Sequence, residues 1–288
     1  MSTATMKAPE LSLRKRKKVP TSQIVAVIVL FTVAVIIITP YIWMLMTSFK
    51  GTKEIFQNPG KILPIEWTIA GYKNVITNSP FFKWVINSTI VTITVTTFVL
   101  FTSTLAGYVF AKFKFKGKNI LFWFILATMM VPYQITMIPV FLIINQLSLY
   151  DTLWALIVPE IVTAFGLFLC RQFCADIPDS LCEAALIDGA GPFRIYWSVI
   201  LPLLKPCIGA LGIFTFLEVW NEYLKPLIMI SQVDRMTLPL ALTFFSNAHI
   251  HDIGSVMSAA SLIMLPVTVV LLVFQKQFIK GISITGSK

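Results

Sequence analysis

Six long apolar stretches set the first constraint on this chain. They cover residues 23–46, 84–111, 120–144, 153–170, 208–230 and 253–274. A helix needs about 20 apolar residues to cross the hydrocarbon core of a bilayer. Inside lipid, backbone groups find no water, so a spanning segment must be a helix or belong to a closed barrel. Barrel strands are segments of about 10 residues with alternating polarity, and these runs are longer and continuously apolar. The expected fold class is all-α, a polytopic membrane protein with six transmembrane helices. Composition agrees: 57% of residues are hydrophobic and 12% charged, against about 45–50% and about 25% in soluble domains.

The first run follows the basic cluster Arg14–Lys18. It exceeds the roughly 7–15 apolar residues of a signal peptide, and no small-residue cleavage pattern follows it. A retained first span is expected. Lys and Arg then set the orientation, because they favour the cytoplasmic side. With the N-terminus inside, the inner segments take the cluster at 14–18, the turn "KFKFKGK" (Lys112 to Lys118), Arg171, Arg194, Lys205 and the C-terminal lysines. The outer segments keep fewer, although Lys50, Lys53, Lys61, Lys73 and Lys83 all fall in the first outer loop. Both termini are expected in the cytoplasm. The layout is then a basic tail (1–22), a first span (23–46), an extracytoplasmic segment (47–83), a core of five spans (84–280) and a short tail, "GISITGSK" (281–288). The net charge of +10 follows from these flanks, and no nucleic-acid partner is expected.

Between the fourth and fifth runs lies "CEAALIDGAGPFRIYWSVILPLLKP", from Cys182 to Pro206. Ser180 with Glu183 three residues on forms a capping-box pattern. Gly189 and Gly191 offer a left-handed stop, and Pro192 suits the first turn of a second helix. The expected structure of residues 178–206 is a short helix, a tight turn and a second short helix leading into the membrane. A helix of two turns is marginal alone in water. Leu181, Ala184, Ala185 and Asp188 fall on one face, small and apolar with an acid at its edge. Such a helix reads as a docking element.

Glu183-Ala184-Ala185, then Gly189, then Leu201-Pro202 resemble the EAA signature of permease subunits of ATP-binding-cassette importers. Asp188-Gly189-Ala190, Tyr196 and Pro206 are similar to its carbohydrate-importer form, with Val199 in place of the usual isoleucine and Tyr196 in place of phenylalanine. "MMVPYQITMIPVFLIINQLSLYDT", "RQFCADIPDSL" and "WNEYLKPLI" extend the resemblance to the maltose-transporter G-type permeases over most of the chain. It implies a type I importer permease fold in a bacterial-type cytoplasmic membrane. The partners it implies are a second, unlike permease forming a heterodimer, two copies of a cytoplasmic ATPase that binds ATP and Mg, and an extracytoplasmic solute-binding protein. It also implies that Glu183, Ala184, Ala185, Asp188 and Gly189 seat in a cleft on the ATPase. Glu183 has a second reading as a simple capping residue. The resemblance sets the C-terminal tail against the ATPase pair, and the other reading of that tail is a frayed terminus.

Ionisable groups within spans are functional candidates, since lipid burial is expensive. The fifth run carries Glu218, Asn221, Glu222 and Lys225, within about a 100° arc of a continuous helix. One reading is a path for a hydroxyl-rich solute, because carboxylates and amides exchange hydrogen bonds with hydroxyls. The other is that Lys225 neutralises Glu222 while Asn221 holds helices together. Glu160, after Pro159, is a further path candidate, and Pro132 and Pro139 should kink the third span.

Neither catalytic residues nor a cofactor of its own is expected. Gly117-Lys118 lacks the glycine and Ser/Thr of a phosphate-binding loop. Cys170, Cys174, Cys182 and Cys207 read as small apolar side chains, and the pair His249 and His251 as loop polarity instead of a metal site. A secondary transporter or channel would also carry acids in its helices, but would leave the EAA spacing without a purpose.

Overall fold

A computed structural model describes residues 21–248 and 252–285; the N-terminal tail to residue 20, His249, His251 and the last three residues of the C-terminal tail lie outside them. The chain divides into two units, residues 1–44 and 45–288. The described part of the first is the start of helix α1 (Thr21–Ser48), which Pro40 interrupts without ending it.

In the second unit, α2 (Thr52–Gln57) and α3 (Ala70–Thr77) fold the segment between the first two spans, and α4 (Phe81–Lys112) is a 32-residue helix. Then come α5 (Lys118–Thr128), α6 (Tyr133–Gln146), α7 (Trp154–Ile157) with a 3-10 turn (Val158–Glu160), and α8 (Ala164–Ala175). The 178–206 segment forms α9 (Asp179–Ile187), α10 (Pro192–Ile195), a π turn (Tyr196–Ile200) and α11 (Leu201–Leu203). The rest is α12 (Lys205–Trp220), α13 (Leu224–Met229), α14 (Leu238–Ala248) and α15 (Ile253–Thr285).

Three of these helices are long and apolar enough to span a membrane: α1, α4 and α15. Three bent pairs bring the number to six: α5 with α6 at 98°, the α7 turn with α8 at 40°, and 192–203 with α12 at 77°. Counting each bent pair as one span gives up to six, close to expectation. The fifth, however, begins in the 192–203 segment and ends at Trp220, not over the expected 208–230. Pro132 causes the sharpest bend. It disfavours helix at Val131, and the chain tightens there through bonds from Met129, Met130 and Val131 to the third residue back. Pro139, expected to kink the same span, sits inside α6 without a break.

The fifth run departs most from expectation. Its helix stops at Trp220, and Asn221–Tyr223 is non-helical. In a continuous helix the Pro226 ring would collide with the carbonyl of Glu222, so a new helix starts at Leu224 with Pro226 in its first turn. At the other end of the chain, the helix of the last span continues through Thr285, into the segment expected as a polar tail.

Packing centres on α4, which contacts α8 and α12. Some of its hydroxyls fold back onto its own backbone, as Thr89 does to Val85 O and Thr97 to Ile93 O, so these cost little in an apolar setting. Those of Thr92, Thr96 and Ser103 are buried without a hydrogen-bond partner among the described residues. At Gly107 the helices touch backbone to backbone: a Cβ there would lie 2.6 Å from Cys170 Cβ. Cys170, Cys174 and Cys207 are buried in this core as free thiols. A second core gathers Val75, Trp84, Trp220, Phe245 and Ile263 from α3, α4, α12, α14 and α15.

Candidate functional site: coupling segment and charge cluster

Helix α9 does not use the expected capping box. Pro178 is its N-cap residue and supplies no side-chain bond, and Ser180 lies inside the first turn. Asp179 is drawn instead to Lys112 Nζ at 2.6 Å, and the same ammonium donates to the Ile177 carbonyl. Lys112 is the reason the box gives way: its buried charge (8% exposed) needs a carboxylate. That contact holds the Asp179 carboxyl below the usual carboxylate range.

The C-terminal end of α9 follows expectation. Gly189 has φ +79°, Ala190 N–H donates to Ala185 O at 2.9 Å, and Gly189 N–H to Leu186 O at 3.0 Å. This pair of bonds is a Schellman closure. Gly191 is extended, at φ −70°, and caps α10, with Pro192 in its first turn.

The faces of α9 divide differently from the sequence reading. Cys182, Ala185 and Ala190 pack against the chain's own core. Ala185 therefore faces inward, on the same side as Cys182 three residues before it. Glu183, Ala184, Asp188 and Gly189 are exposed. So is Ile187, at 87%, an apolar residue that sequence reasoning passed over.

The second group lies where broken helices meet. Lys225 Nζ is 2.6 Å from Glu160 Oε1 and 3.4 Å from Glu222 Oε2, and 5.0 Å from the Tyr133 ring centroid. Glu222 also accepts from the N–H groups of Leu224 (2.9 Å) and Lys225 (3.3 Å), stabilising the start of α13. Glu160, Glu218, Glu222 and Lys225 line one small cavity with Val91 and Thr237. Its volume of about 20 Å³ admits a single water, not a sugar ring. The Tyr133 and Thr237 hydroxyls are buried without a hydrogen-bond partner among the described residues.

Asn221 stands apart from this cavity. It is exposed and donates to Leu217 O at 2.8 Å, closing the end of α12. The predicted single helical stripe of four polar residues does not form, because the helix ends before Asn221. Lys225, read only as a partner of Glu222, is closest to Glu160, and Tyr133 had no sequence signal beyond following Pro132. Asp252, beside the two histidines, accepts from Thr52, Asn74 and Ser255. His249 and His251 themselves lie outside the described residues.

A family profile described as binding-protein-dependent transport system inner membrane component matches residues 103–284. The diacetylchitobiose uptake system permease protein NgcG of Streptomyces coelicolor is 32% identical over 254 residues, covering 87% of this chain and 84% of that protein. The arabinooligosaccharides transport system permease protein AraQ of Bacillus subtilis is 33% identical over 253 residues (86% and 90%). The sn-glycerol-3-phosphate transport system permease protein UgpE of Escherichia coli is 30% identical over 258 residues (87% and 92%). A crystal structure of a bacterial ABC transporter involved in import of the acidic polysaccharide alginate contains a chain of the same fold. Its TM-score is 0.80 at 23% identity, covering 91% of this chain and 100% of that one. With its broken six-span core and its exposed α9, this chain belongs to the family of binding-protein-dependent transport system inner membrane components, the permease subunits of ABC importers.

Proposed function

We propose that this chain is one half of the membrane path of an ATP-driven importer for a carbohydrate, an oligosaccharide or a related sugar. Relatives named for diacetylchitobiose and arabinooligosaccharides support that cargo class. A second, unlike permease supplies the other half. Two copies of a cytoplasmic ATPase bind ATP and Mg, and an extracytoplasmic solute-binding protein delivers the sugar. Both termini lie in the cytoplasm, with residues 47–83 on the outer side.

The observation that carries this reading is α9. It is a short helix, closed at its C-terminal end by its own backbone, presenting Glu183, Ala184, Ile187, Asp188 and Gly189 outward. The side chain of Ile187 stays in water unless another surface covers it, and covering a large aliphatic side chain stabilises a contact by about 1.5–3 kcal/mol. An ATPase cleft is the expected cover. Ala185 serves the docking by seating α9 on the core. Closure of the ATPase pair then selects one of two arrangements of the membrane helices.

Glu160, Glu218 and Glu222, with the unpartnered hydroxyls of Tyr133 and Thr237, are the polar lining offered to the sugar once the helices part. Asn221, outside that lining, contributes by closing the end of α12, the helix that carries Glu218.

The test is co-purification of the ATPase with the tagged chain from its own host, followed by uptake in proteoliposomes. Glu183→Lys should release the ATPase, and Glu218→Ala should lower uptake with the complex intact. Full ATPase retention by both Glu183→Lys and Ile187→Asp would remove α9 from the interface. A solute-binding partner that took only amino acids or peptides would refute the carbohydrate cargo.

A further inference from the structure

Three side chains on α4, spaced four residues apart and thus on one face, hold the segment around α9. Lys112 binds Asp179 and the Ile177 carbonyl, just before and at the start of α9. Tyr108 Oη donates to Pro192 O at 3.2 Å, at the start of α10. Thr104 Oγ1 lies 2.8 Å from Tyr196 Oη, in the π turn. Thr104 already donates its single hydrogen to Leu100 O at 2.7 Å, so Tyr196 is the donor in that pair. The Tyr108 and Tyr196 rings lie 5.8 Å apart, closing the gap between the two lower contacts. Both flanks of α9 are thereby tied to one helix.

The opposite end of α4 is tied as firmly, to the connection between α13 and α14. Lys83 pairs with Asp234 at 2.6 Å. Trp84 Nε1 donates to Val233 O at 2.7 Å, and Asn87 Nδ2 to Asp234 O at 2.9 Å and Met236 O at 3.0 Å. Ser88 Oγ accepts from Leu238 N–H at 2.8 Å. Between the two ends, Val91 borders the charge-cluster cavity. At 1.5 Å per residue, the 32 residues of α4 reach about 48 Å, enough to cross the bilayer.

We infer that α4 is the rod that carries displacement of the coupling segment through the membrane, and that Thr104, Tyr108 and Lys112 are the positioning residues fixing that segment to it. A helix with intact backbone bonds along its length resists compression, whereas the three broken spans can bend at their interruptions. A push on α9 therefore reaches the far side along α4, past Val91, to the 233–238 connection. This inference rests on the reading that α9 docks on an ATPase.

The experiment uses the assembled complex in proteoliposomes, with ATP hydrolysis and sugar uptake measured together. Lys112→Met combined with Tyr108→Phe removes two of the three ties while keeping size and stacking. ATPase retention should stay at the wild-type level, while sugar delivered per ATP should fall about fivefold, the scale of a modest coupling loss. Lys112→Arg, which keeps charge and donors, should restore the ratio. A wild-type ratio in the double variant would overturn the inference. So would loss of the ATPase from it, since the ties would then only shape the docking surface. Failure of the wild-type chain to retain any ATPase would refute the docking reading itself, a different result from either. A second measurement is independent of variant folding. Spin labels at exposed Lys116 and Ser180 should keep their separation between nucleotide-free and ATP-trapped complexes, and a changed separation would refute the rod.

Discussion

Replacing Gly107 with alanine tests how closely α4 is pressed to α8. The added Cβ would lie 2.6 Å from Cys170 Cβ, 2.7 Å from the Cys170 carbonyl carbon and 2.8 Å from Arg171 N. Carbon atoms in contact rest at about 3.5–4.0 Å, so roughly 1 Å has to be found. Two of the three obstructing atoms are backbone, and no rotamer change removes them. Overpacking of this kind costs about 1–3 kcal/mol. Alanine recovers about 1 kcal/mol of helix propensity over glycine, leaving a net loss of up to about 2 kcal/mol. Gly212 in α12 is the matched control. Its Cβ would meet only Leu100 Cδ1 at 3.6 Å and Cδ2 at 3.9 Å, which is ordinary contact. Gly212→Ala should be neutral or gain up to about 1 kcal/mol. Thermal unfolding of the detergent-solubilised chain, followed by tryptophan fluorescence, should rank Gly107→Ala below wild type and Gly212→Ala at or above it. Equal midpoints for the two variants would refute the backbone contact between α4 and α8.

Three further outcomes follow from the polar contacts. Lys225→Met leaves Glu160 and Glu222 crowded without their cation and should destabilise the fold by about 3–5 kcal/mol; adding Glu160→Gln should recover most of it, and a double variant no better than the single one would break the pairing. Asp151 accepts from Ser231 N–H at 2.9 Å and Gln232 N–H at 3.1 Å, so Asp151→Ala should cost about 1–3 kcal/mol by leaving these donors unmade, as read from the same melting curve. Asp179 has its pKa depressed, first by the hydrogen bond and then by the charge of Lys112, so the tie is present above the unfolded carboxylate value and fails only as pH falls through the still lower folded one. The ratio of sugar uptake between wild type and Asp179→Asn should thus be flat from about pH 5 to 8, and a transition inside that range would contradict the pairing.

Much of the fold was legible because lipid imposes a coarse rule on sequence: the six apolar runs all became helix, three of them in single long helices and the others interrupted or shifted. The stop of α9 was legible for a local reason, since Gly189 alone can take the left-handed turn cheaply. What escaped reading depends on residues distant in the chain. Ser180 and Glu183 fit a capping box locally, but Lys112, 67 residues before Asp179, decides the start of the helix. Ala184 and Ala185 are equivalent as letters, and only the position of the core turns one outward and the other in. Glu160 and Lys225 were each visible as costly charges, but their pairing required two broken spans to meet. The break after Trp220 has a local signal in Pro226, set within an otherwise continuous apolar run.

The interruptions at 129–132, 161–163 and 221–223 all border the same group, through Tyr133, Glu160 and Glu222. Each interrupts the regular helical ladder, with shorter turns and side-chain bonds replacing part of it, as at Met129–Val131 and Leu224. For the remainder a fatty-acyl tail offers neither donor nor acceptor. That flank of the chain must be sheltered by another protein or wetted from one side. Peptide chemistry alone thus draws the line along which the bilayer gives way to the rest of the assembly.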